Sequence, residues 1–448
     1  MLSNSMAKIF GYAATFLMLG FAADAYAVLP IQHWQTAKGT QVYFVENHDI
    51  PMLDVSVVFA AGSSYDTPEK SGLAELTQGL LNLGAGGLSD NEIAKKISEV
   101  GASLSGGFDL DMSSVGVRTL SSKREREQAL DMLALVLQSP DFPEAVLARE
   151  KARLIAGLKE AETQPEAIAE KAFYRAVYGS NPYGLPPDGE IDTVSKLTRD
   201  DLVAFYRAHY NPNDAVVAIV GDTTRAGAEA IVAKLTNGLP ENAGPHNPLP
   251  EVKPLDKAIE KRIPHPAEQS HILIGQPGMS RTDPDYFPLL VGNYVLGGGG
   301  FDSRILQEVR EKRGLAYSAY SYFMPMKQPG PFMLGLQTKK AQADEAIKVV
   351  RETLSKFVET GPTPAELKQA KANLIGGFPL RIDSNRKILE YLKVIGFYGL
   401  PLTYLDDFTK NVNHVTLSDI RKAFAKHLDL QHMVTIVVGA PDASSPSK

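Results

Sequence analysis

The sequence contains no cysteine among its 448 residues. This absence excludes disulfide bonds, thiolate metal sites and a cysteine nucleophile, so an exported chain of this kind would depend on its hydrophobic core. Charge of one sign is not in large excess either, since the formal net charge is −6 at pH 7. No basic stripe is interleaved with aromatic residues. The composition therefore argues against nucleic acid as a partner.

Long hydrophobic runs are confined to the N-terminus. Residues 1–27 have the pattern of a secretory signal, with Lys8 at the start, an apolar run at Ile9–Phe21 and a small-x-small site at Ala25-Tyr26-Ala27. We expect cleavage near Ala27 and a periplasmic protein; an uncleaved membrane anchor is the alternative. No later segment reaches the ~18 apolar residues of a spanning helix, so we expect no integral membrane segment after signal removal.

Histidines are few and dispersed. The nine histidines form neither an H-x-H pair nor an i,i+4 pair on a helix. Zinc needs convergent ligands, and two histidines one helical turn apart supply them most simply. No G-x-S-x-G nucleophile elbow occurs in the sequence either. We therefore expect no metal ion and no cofactor in this chain.

The order of strands and helices repeats along the chain. Several segments recur in the same order at offsets of 213 to 220 residues. This spacing predicts a tandem duplication of an α+β unit of about 200 residues. The recurring segments are Leu83-Gly84 and Leu296-Gly297, Lys151–Leu158 and Lys371–Phe378, and Thr198–Leu202 and Thr416–Ile420.

Proline-rich sequence separates the two repeats, with five prolines between residues 238 and 255. Such a stretch with little apolar content is typical of an inter-domain linker. We predict a signal peptide at 1–27, an N-terminal lobe at 28–240, a linker at 241–258, a C-terminal lobe at 259–440 and a polar tail at 441–448.

A glycine-rich block at Leu296–Phe323 organises the second repeat. Four consecutive glycines precede a short amphipathic helix that should end at Gly314, and a strand rich in aromatic residues follows. A phosphate loop is excluded because no G-K-[ST] follows the glycines and Asp302 would repel phosphate. The glycine run is therefore expected to be a flexible or tightly turned entry into the helix.

Arg310 and Tyr317 are the candidate chemical groups of this block. An arginine can bind a peptide carbonyl or carboxylate with its fixed fork of donors, and a tyrosine hydroxyl can donate to a developing oxyanion. The residues alone leave a second interpretation open, in which Arg310 is a solvated charge and Tyr317 a packed aromatic.

The chain resembles the insulinase/pitrilysin-like zinc metallopeptidases, in particular the shorter bacterial members and the mitochondrial processing peptidase subunits. The resemblance covers essentially the whole mature chain. It is carried by the duplicated lobes, by Ala61–Tyr65 before Gly72–Ala74, and by the block LGGGGFDSRILQEVREKRGLAYS. It implies an α+β fold of two homologous lobes, each an antiparallel-rich sheet packed with helices, that together form half of a clam shell.

The resemblance also implies a zinc motif, H-x-x-E-H, on the helix at Gly72–Gly79, with a further glutamate downstream. This chain has Glu75 and Gly79 at the two histidine positions, Gln78 at the general base and Gly157 at the distal glutamate. Glutamine cannot accept the proton and glycine has no ligand atom, so we expect no peptide hydrolysis by this chain alone. Glu75 and Gln78 should then be solvated or hydrogen-bonded residues of an ordinary amphipathic helix.

In the second lobe, the resemblance implies that Arg310 and Tyr317 bind substrate and stabilise the transition state. We therefore expect the non-metal subunit of a heterodimeric zinc peptidase, whose homologous partner carries the zinc. Extended peptides would bind partly by strand addition, with Tyr320 and Tyr322 in the cavity wall. The alternatives are an inert structural or peptide-binding member without a peptidase partner, and an independent zinc hydrolase with unrecognised ligands.

Overall fold

A computed structural model describes residues 30–241 and 248–440. The predicted signal peptide and polar tail lie outside the described residues, as does the part of the predicted linker at 242–247. The described chain from Ile31 onward belongs to one compact unit. None of its helices is long and apolar enough to cross a membrane.

The N-terminal half is built around a six-stranded sheet with the order β1-β2-β8-β3-β7-β6. In this order β1 and β6 are the edge strands. All neighbouring strands are antiparallel except β2 and β8, which are parallel. The elements are β1 (Gln32–Gln35), β2 (Gln41–Glu46), β3 (Met52–Phe59), α1 (Leu73–Leu80), β4 (Gly84–Ala85), β5 (Leu88–Ser89), α2 (Asp90–Ser98), β6 (Ser103–Phe108), β7 (Ser113–Leu120), α3 (Lys123–Gln138), α4 (Glu144–Ala161), α5 (Pro165–Tyr178), α6 (Ile191–Lys196), α7 (Arg199–His209), β8 (Val216–Gly221) and α8 (Arg225–Thr236).

The C-terminal half is built around a five-stranded sheet with the order β11-β12-β10-β13-β9. Only β13 and β9 are parallel neighbours, so the predicted antiparallel-rich fold of two homologous lobes is confirmed. The elements are β9 (Ile259–Pro264), β10 (Gln269–Pro277), α9 (Tyr286–Asn293), α10 (Arg304–Leu306), β11 (Ala316–Phe323), β12 (Pro331–Lys339), α11 (Ala343–Thr360), α12 (Pro364–Gly377), α13 (Asn385–Tyr398), α14 (Tyr404–His414), α15 (Leu417–His427) and β13 (Val434–Ala440).

The two repeats share details that the sequence offsets indicated. Thr198 and Thr416 each close the start of a helix, α7 and α15, with a capping box. Nζ of Lys151 donates to the carbonyls of Ser195 at 2.8 Å and Leu197 at 2.6 Å, and Nζ of Lys371 donates to that of Asn413 at 2.6 Å, all within three residues before the capping threonine. The same lysine therefore fastens the same helix pair in each lobe.

Each half gives one helix to the sheet of the other half. Helix α5 packs on β10 and β13 of the C-terminal sheet, where the buried ring of Phe173 lies over Gly275. Helix α13 packs on β3 and β8 of the N-terminal sheet, where Gly396 lies against Tyr43 and Val216. A glycine at each crossing lets the helix approach the sheet closely. The two cores are therefore shared across the domain boundaries that the sequence predicts.

The described part of the predicted linker also joins a core. Val252 is buried in the cluster that α5 forms with the C-terminal sheet. The side-chain amide of Asn181 donates to the carbonyl of Pro250 at 3.0 Å. Residues around Val252 are thus docked on the protein and do not act as a free tether.

Candidate functional site

Helix α1 carries the positions at which the related zinc peptidases would place their motif. Its first residues follow Gly72, which has φ of +92° and no capping side chain of its own. Asp66 supplies the cap from outside the helix, accepting from the backbone N–H groups of Gly72 at 2.8 Å and Ala74 at 2.9 Å. Burial on the apolar side of α1 then turns Glu75, Gln78 and Gly79 toward α4.

All four altered zinc positions line one cavity. Glu75, Gln78 and Gly79 of α1 face Gly157 of α4 across a space of about 510 Å³, with Asp188 at its border. Nothing lies within 4 Å of the place where a Cβ would project from Gly79 or from Gly157. No neighbouring side chain has moved in to replace the missing ligands, so the cavity keeps its open space.

Glu75 is not a solvated residue, contrary to one of the two expectations from the sequence. The pKa of its carboxyl is raised to about 8. Burial is the main cause, and the nearby carboxyl of Asp188 is the second. The Oε2 atom of Glu75 is buried and has no hydrogen-bond partner among the described residues. Glu75 is therefore a largely buried acid and does not belong to a solvated helix face.

Gln78 lies over the edge strand β6. A side chain at Gly106 would collide with the Gln78 amide nitrogen, so the amide sits directly on the backbone of that strand. Glutamine offers hydrogen bonds there but cannot serve as a general base near neutral pH.

A further carboxylate of the cavity, that of Glu150, is already engaged. One of its oxygens accepts from Nε of Arg149 at 2.9 Å, and the other forms an ion pair with Nε of Arg153 at 2.8 Å. Zinc prefers several unprotonated nitrogen, sulfur or carboxylate donors that converge on one point. The cavity offers one glutamate whose pKa is raised by burial and one carboxylate bound by two guanidinium groups, so its residues do not fit a zinc ion.

One other cluster in the described ranges brings three metal-type donors together. Its members are Asp283, Asp285 and His427 at the ends of α9 and α15, with ligand atoms within 4.8 Å of one another. The ammonium group of Lys426 already binds Asp285 at 2.6 Å and holds the pKa of that carboxyl below its usual range. His427 lies 3.1 Å from the same carboxylate. This arrangement is that of an ion-pair network.

The glycine run is a tight, packed turn. A side chain at Gly297 would meet Ser321 of β11, and a side chain at Gly299 would meet Tyr294. Gly300 has φ of +63°, a left-handed conformation that favours glycine. Of the two expectations for this run, the tight turn is therefore the correct one.

The helix after the glycine run is less regular than its amphipathic pattern predicts. It is α-helical only at α10, and it continues as a π-helical turn at Gln307–Glu311 that contains Arg310. It ends as predicted at Gly314, whose φ is +62° and whose N–H donates to the Arg310 carbonyl at 2.8 Å. Single π-helical turns are frequent at functional sites.

Arg310 and Tyr317 meet on the surface. The Cζ atom of Arg310 lies 4.8 Å from the ring centroid of Tyr317 and 5.0 Å from that of Phe301. The rings are open to solvent, at 80% exposure for Tyr317 and 64% for Phe301. Among the described residues, the carboxylate that pairs with this guanidinium is that of Glu311, with 3.4 Å between Nε of Arg310 and Oε1 of Glu311. The Arg310 side chain is 30% exposed, so part of it is accessible to solvent.

Phe301 is the residue of this site that sequence reasoning missed. The available signal was a large aromatic side chain directly after four glycines, at the tip of a turn where a hydrophobic residue has no core to enter. Its contact with Arg310 depends on how the turn folds back, which periodicity does not reveal.

Tyr320 and Tyr322 stand side by side on β11, with ring centroids 6.0 Å apart and an interplanar angle of 7°. Tyr322 packs on the core that α5 forms with the C-terminal sheet. Tyr320 covers Gly335 of β12 and remains 40% exposed beside Glu166 and Glu170 of α5. Tyr320 is thus accessible from outside, whereas Tyr322 has a mainly structural environment; their role in substrate binding stays a prediction.

Comparison with known proteins adds to this geometry. Residues 41–187 match the model of the insulinase family, peptidase family M16, and residues 196–374 match that of the peptidase M16 inactive domain. A crystal structure from Pseudomonas fluorescens, described as a peptidase M16 inactive domain, is similar at 37% identity and a TM-score of 0.89, covering 93% of this chain and 100% of that one.

Curated relatives carry names of two kinds. The non-peptidase homolog YmxG of Helicobacter pylori is 26% identical over 426 residues, which is 94% of this chain and 96% of the relative. An uncharacterized zinc protease of Streptomyces coelicolor is 28% identical over 370 residues, covering 80% and 79%. With the matched family models and the shared two-lobed fold, this chain belongs to the insulinase family of peptidases, peptidase family M16.

Proposed function

We propose that this chain is the non-metal subunit of a two-chain zinc peptidase, lending Arg310 and Tyr317 to a site whose zinc lies on a homologous partner. One observation carries the proposal. The cavity between α1 and α4 lacks a donor set for zinc, whereas Arg310 and Tyr317 lie together on the surface with donors that the described residues do not use.

The chemistry of the pair suits a shared site. Zinc on the partner would polarise the scissile carbonyl and activate water. The Arg310 guanidinium would hold a carbonyl or carboxylate of the substrate through its planar fork of N–H donors. The Tyr317 hydroxyl would donate to the oxygen that gains negative charge in the transition state. Neither task needs a metal ion or a general base in this chain.

An extended peptide is the substrate that the surrounding surface favours. Strand β11, which carries Tyr317 and the exposed Tyr320, is an edge of its sheet, so its outer backbone groups can pair with an added strand. The secretory pattern of residues 1–27 supports the periplasm as the place where such a peptide would be met.

Reconstitution tests the proposal. This chain is co-expressed with a zinc-motif homologue from the same cell, and cleavage of fluorescein-labelled β-casein, an unfolded protein, is followed. We expect Arg310→Ala and Tyr317→Phe each to lower kcat about 100-fold, the size of effect seen when an oxyanion donor is removed. Arg313→Ala is the matched control, because Arg313 belongs to the same segment but is bound to Glu308 at 2.6 Å. Unchanged cleavage in both variants would contradict a shared site.

The name of the Helicobacter pylori relative, a non-peptidase homolog, favours a second candidate function. In that case the chain would bind peptides or support an assembly without any peptidase partner. Native mass spectrometry of the protein purified from its own cells separates the two. A stable heterodimer supports the peptidase subunit, and a monomer or homodimer that binds β-casein supports the second candidate.

A further inference from the structure

Phe301 is a large apolar side chain that packs into no core. Its ring is 64% exposed and lies 5.0 Å from the Cζ atom of Arg310. We infer that Phe301 is a positioning residue, which together with Tyr317 holds the Arg310 guanidinium in the orientation that the shared site needs. The inference rests on the proposed function, and it assigns a task to the glycine-rich turn that precedes Arg310.

The turn that carries Phe301 has a defined conformation. The Gln307 side-chain amide donates to the Phe301 carbonyl at 2.8 Å, and the Ser303 hydroxyl donates to the Gly300 carbonyl at 2.7 Å. The left-handed Gly300 turns the chain immediately before Phe301. Packing of Gly297 on Ser321 ties the turn to the strand that carries Tyr317. The turn and the strand therefore present both rings to the same guanidinium.

Arg310 has little other support. Its ion pair with Glu311 is long, at 3.4 Å, and lies between side chains that are 30% and 47% exposed, where screening by solvent leaves such a pair little strength. The other carboxylate of the segment, that of Glu308, is already bound by Lys312 and Arg313 at 2.6 Å each. Attraction between the cation and the faces of the two aromatic rings is thus the main interaction available to restrain the guanidinium.

The isolated chain allows a direct test of this contact. With 15N-labelled arginine, the Nε–Hε signal of Arg310 is assigned by its loss in Arg310→Lys. We expect the signal to carry a ring-current shift that falls in Phe301→Leu and persists in Phe301→Trp. Leu380→Ala is the control, because Leu380 is similarly exposed at 67%. An unchanged Arg310 signal in Phe301→Leu would overturn the inference.

The reconstituted complex tests the functional consequence. Phe301→Leu should lower kcat for β-casein cleavage about two- to fivefold, the range that a cation–π contact at an exposed site supports, and Phe301→Trp should restore it. In the Arg310→Ala background, Phe301→Leu should cause no further loss, since the residue acts through the arginine. If Phe301→Leu lowers kcat equally with Arg310 and with Arg310→Ala, or lowers it in neither, Phe301 does not position Arg310.

Failure of the proposed function has a different signature. A complex in which Arg310→Ala leaves cleavage unchanged contradicts the shared site. The Nε–Hε signal of the isolated chain would still decide whether Phe301 holds Arg310.

Discussion

Matched positions of the two lobes have opposite environments. The offset of 213 residues that relates Leu83 to Leu296 leads from Arg310 back to Ile97, and from Tyr317 back to Leu104. Ile97 is 7% exposed on α2, and Leu104 on the edge strand β6 packs against the N-terminal core. In one copy these positions fill the core, and in the other they form a polar surface. A duplicated fold can therefore change function at single positions while its packing scheme stays intact.

Backbone conformation follows the same contrast. Helix α2 is a regular α-helix that begins with a capping box at Ser89. Its counterpart around Arg310 is α-helical for one turn, continues as a π-helical turn, and follows a π-helical stretch at Tyr294–Gly298. A π-helical turn shifts side chains relative to a regular helix and weakens local packing. The irregular copy is the one that exposes its polar groups.

The largest expected effect comes from introducing, in the N-terminal lobe, the zinc motif that the resemblance predicts for this helix. We predict that the combined change Glu75→His, Gln78→Glu, Gly79→His and Gly157→Glu yields about one tightly held zinc per chain, because ligand side chains would then converge on an open cavity. The open space beside Gly79 and Gly157 gives the new side chains room. Zinc is measured by atomic emission after dialysis.

The variant that keeps Gly157 serves as control for this prediction, because it offers one ligand fewer and should hold zinc more weakly. If the fourfold variant retains no zinc, the cavity has lost the geometry of a metal site along with its ligands. The N-terminal lobe would then differ from a zinc-binding lobe in its backbone geometry as well as in its side chains.

A smaller effect is expected from the buried carboxyl of Glu75. Because the folded state raises the Glu75 pKa to about 8, it binds a proton more tightly than the unfolded chain does. Stability should therefore fall as the pH rises from about 4.5 to about 8. Glu75→Gln should raise the free energy of unfolding at pH 8 by on the order of 2 kcal/mol and change it less at pH 5.

Urea unfolding at pH 5 and pH 8 measures this difference, with Glu127→Gln on the exposed side of α3 as the control. In Glu75→Gln, the fall in the free energy of unfolding between pH 5 and pH 8 should become smaller. It should not disappear, because burial also raises the pKa of Asp66, to about 7. Equal effects of Glu75→Gln at the two pH values would show that Glu75 is ionised in the folded protein.

The smallest expected effect concerns the glycine-rich turn of the C-terminal lobe. Gly300→Ala should destabilise the protein by about 1 kcal/mol, because alanine is strained at φ of +63° even though its Cβ has room. Gly376→Ala in helix α12 is the matched control and should stabilise by about 0.5–1 kcal/mol, since that glycine is helical and unobstructed. Thermal unfolding measures both; a stabilising Gly300→Ala would show that the turn is not held left-handed.

Local patterns and internal similarity made much of the fold predictable. The helix caps at Thr198 and Thr416 and the helix end at Gly314 follow from short-range rules, and the duplication follows from recurring segments. Arg310 and Tyr317 were also accessible from the sequence, because they lie within one recognisable block.

What the sequence did not reveal depends on long-range packing. The partnership of Glu75 with Asp188 joins a helix to a distant loop, and the contact of Phe301 with Arg310 needs the folded turn. The π-helical turns and the exchange of α5 and α13 are likewise set by tertiary contacts, which periodicity does not encode.

The exchanged helices have a consequence for the order of events during synthesis. Strands β3 and β8 lack the helix that covers one face of their sheet until α13, which ends at Tyr398, has left the ribosome. Domains commonly fold one after another from the N-terminus as they emerge. The N-terminal sheet therefore gains its full cover only when most of the chain has been made.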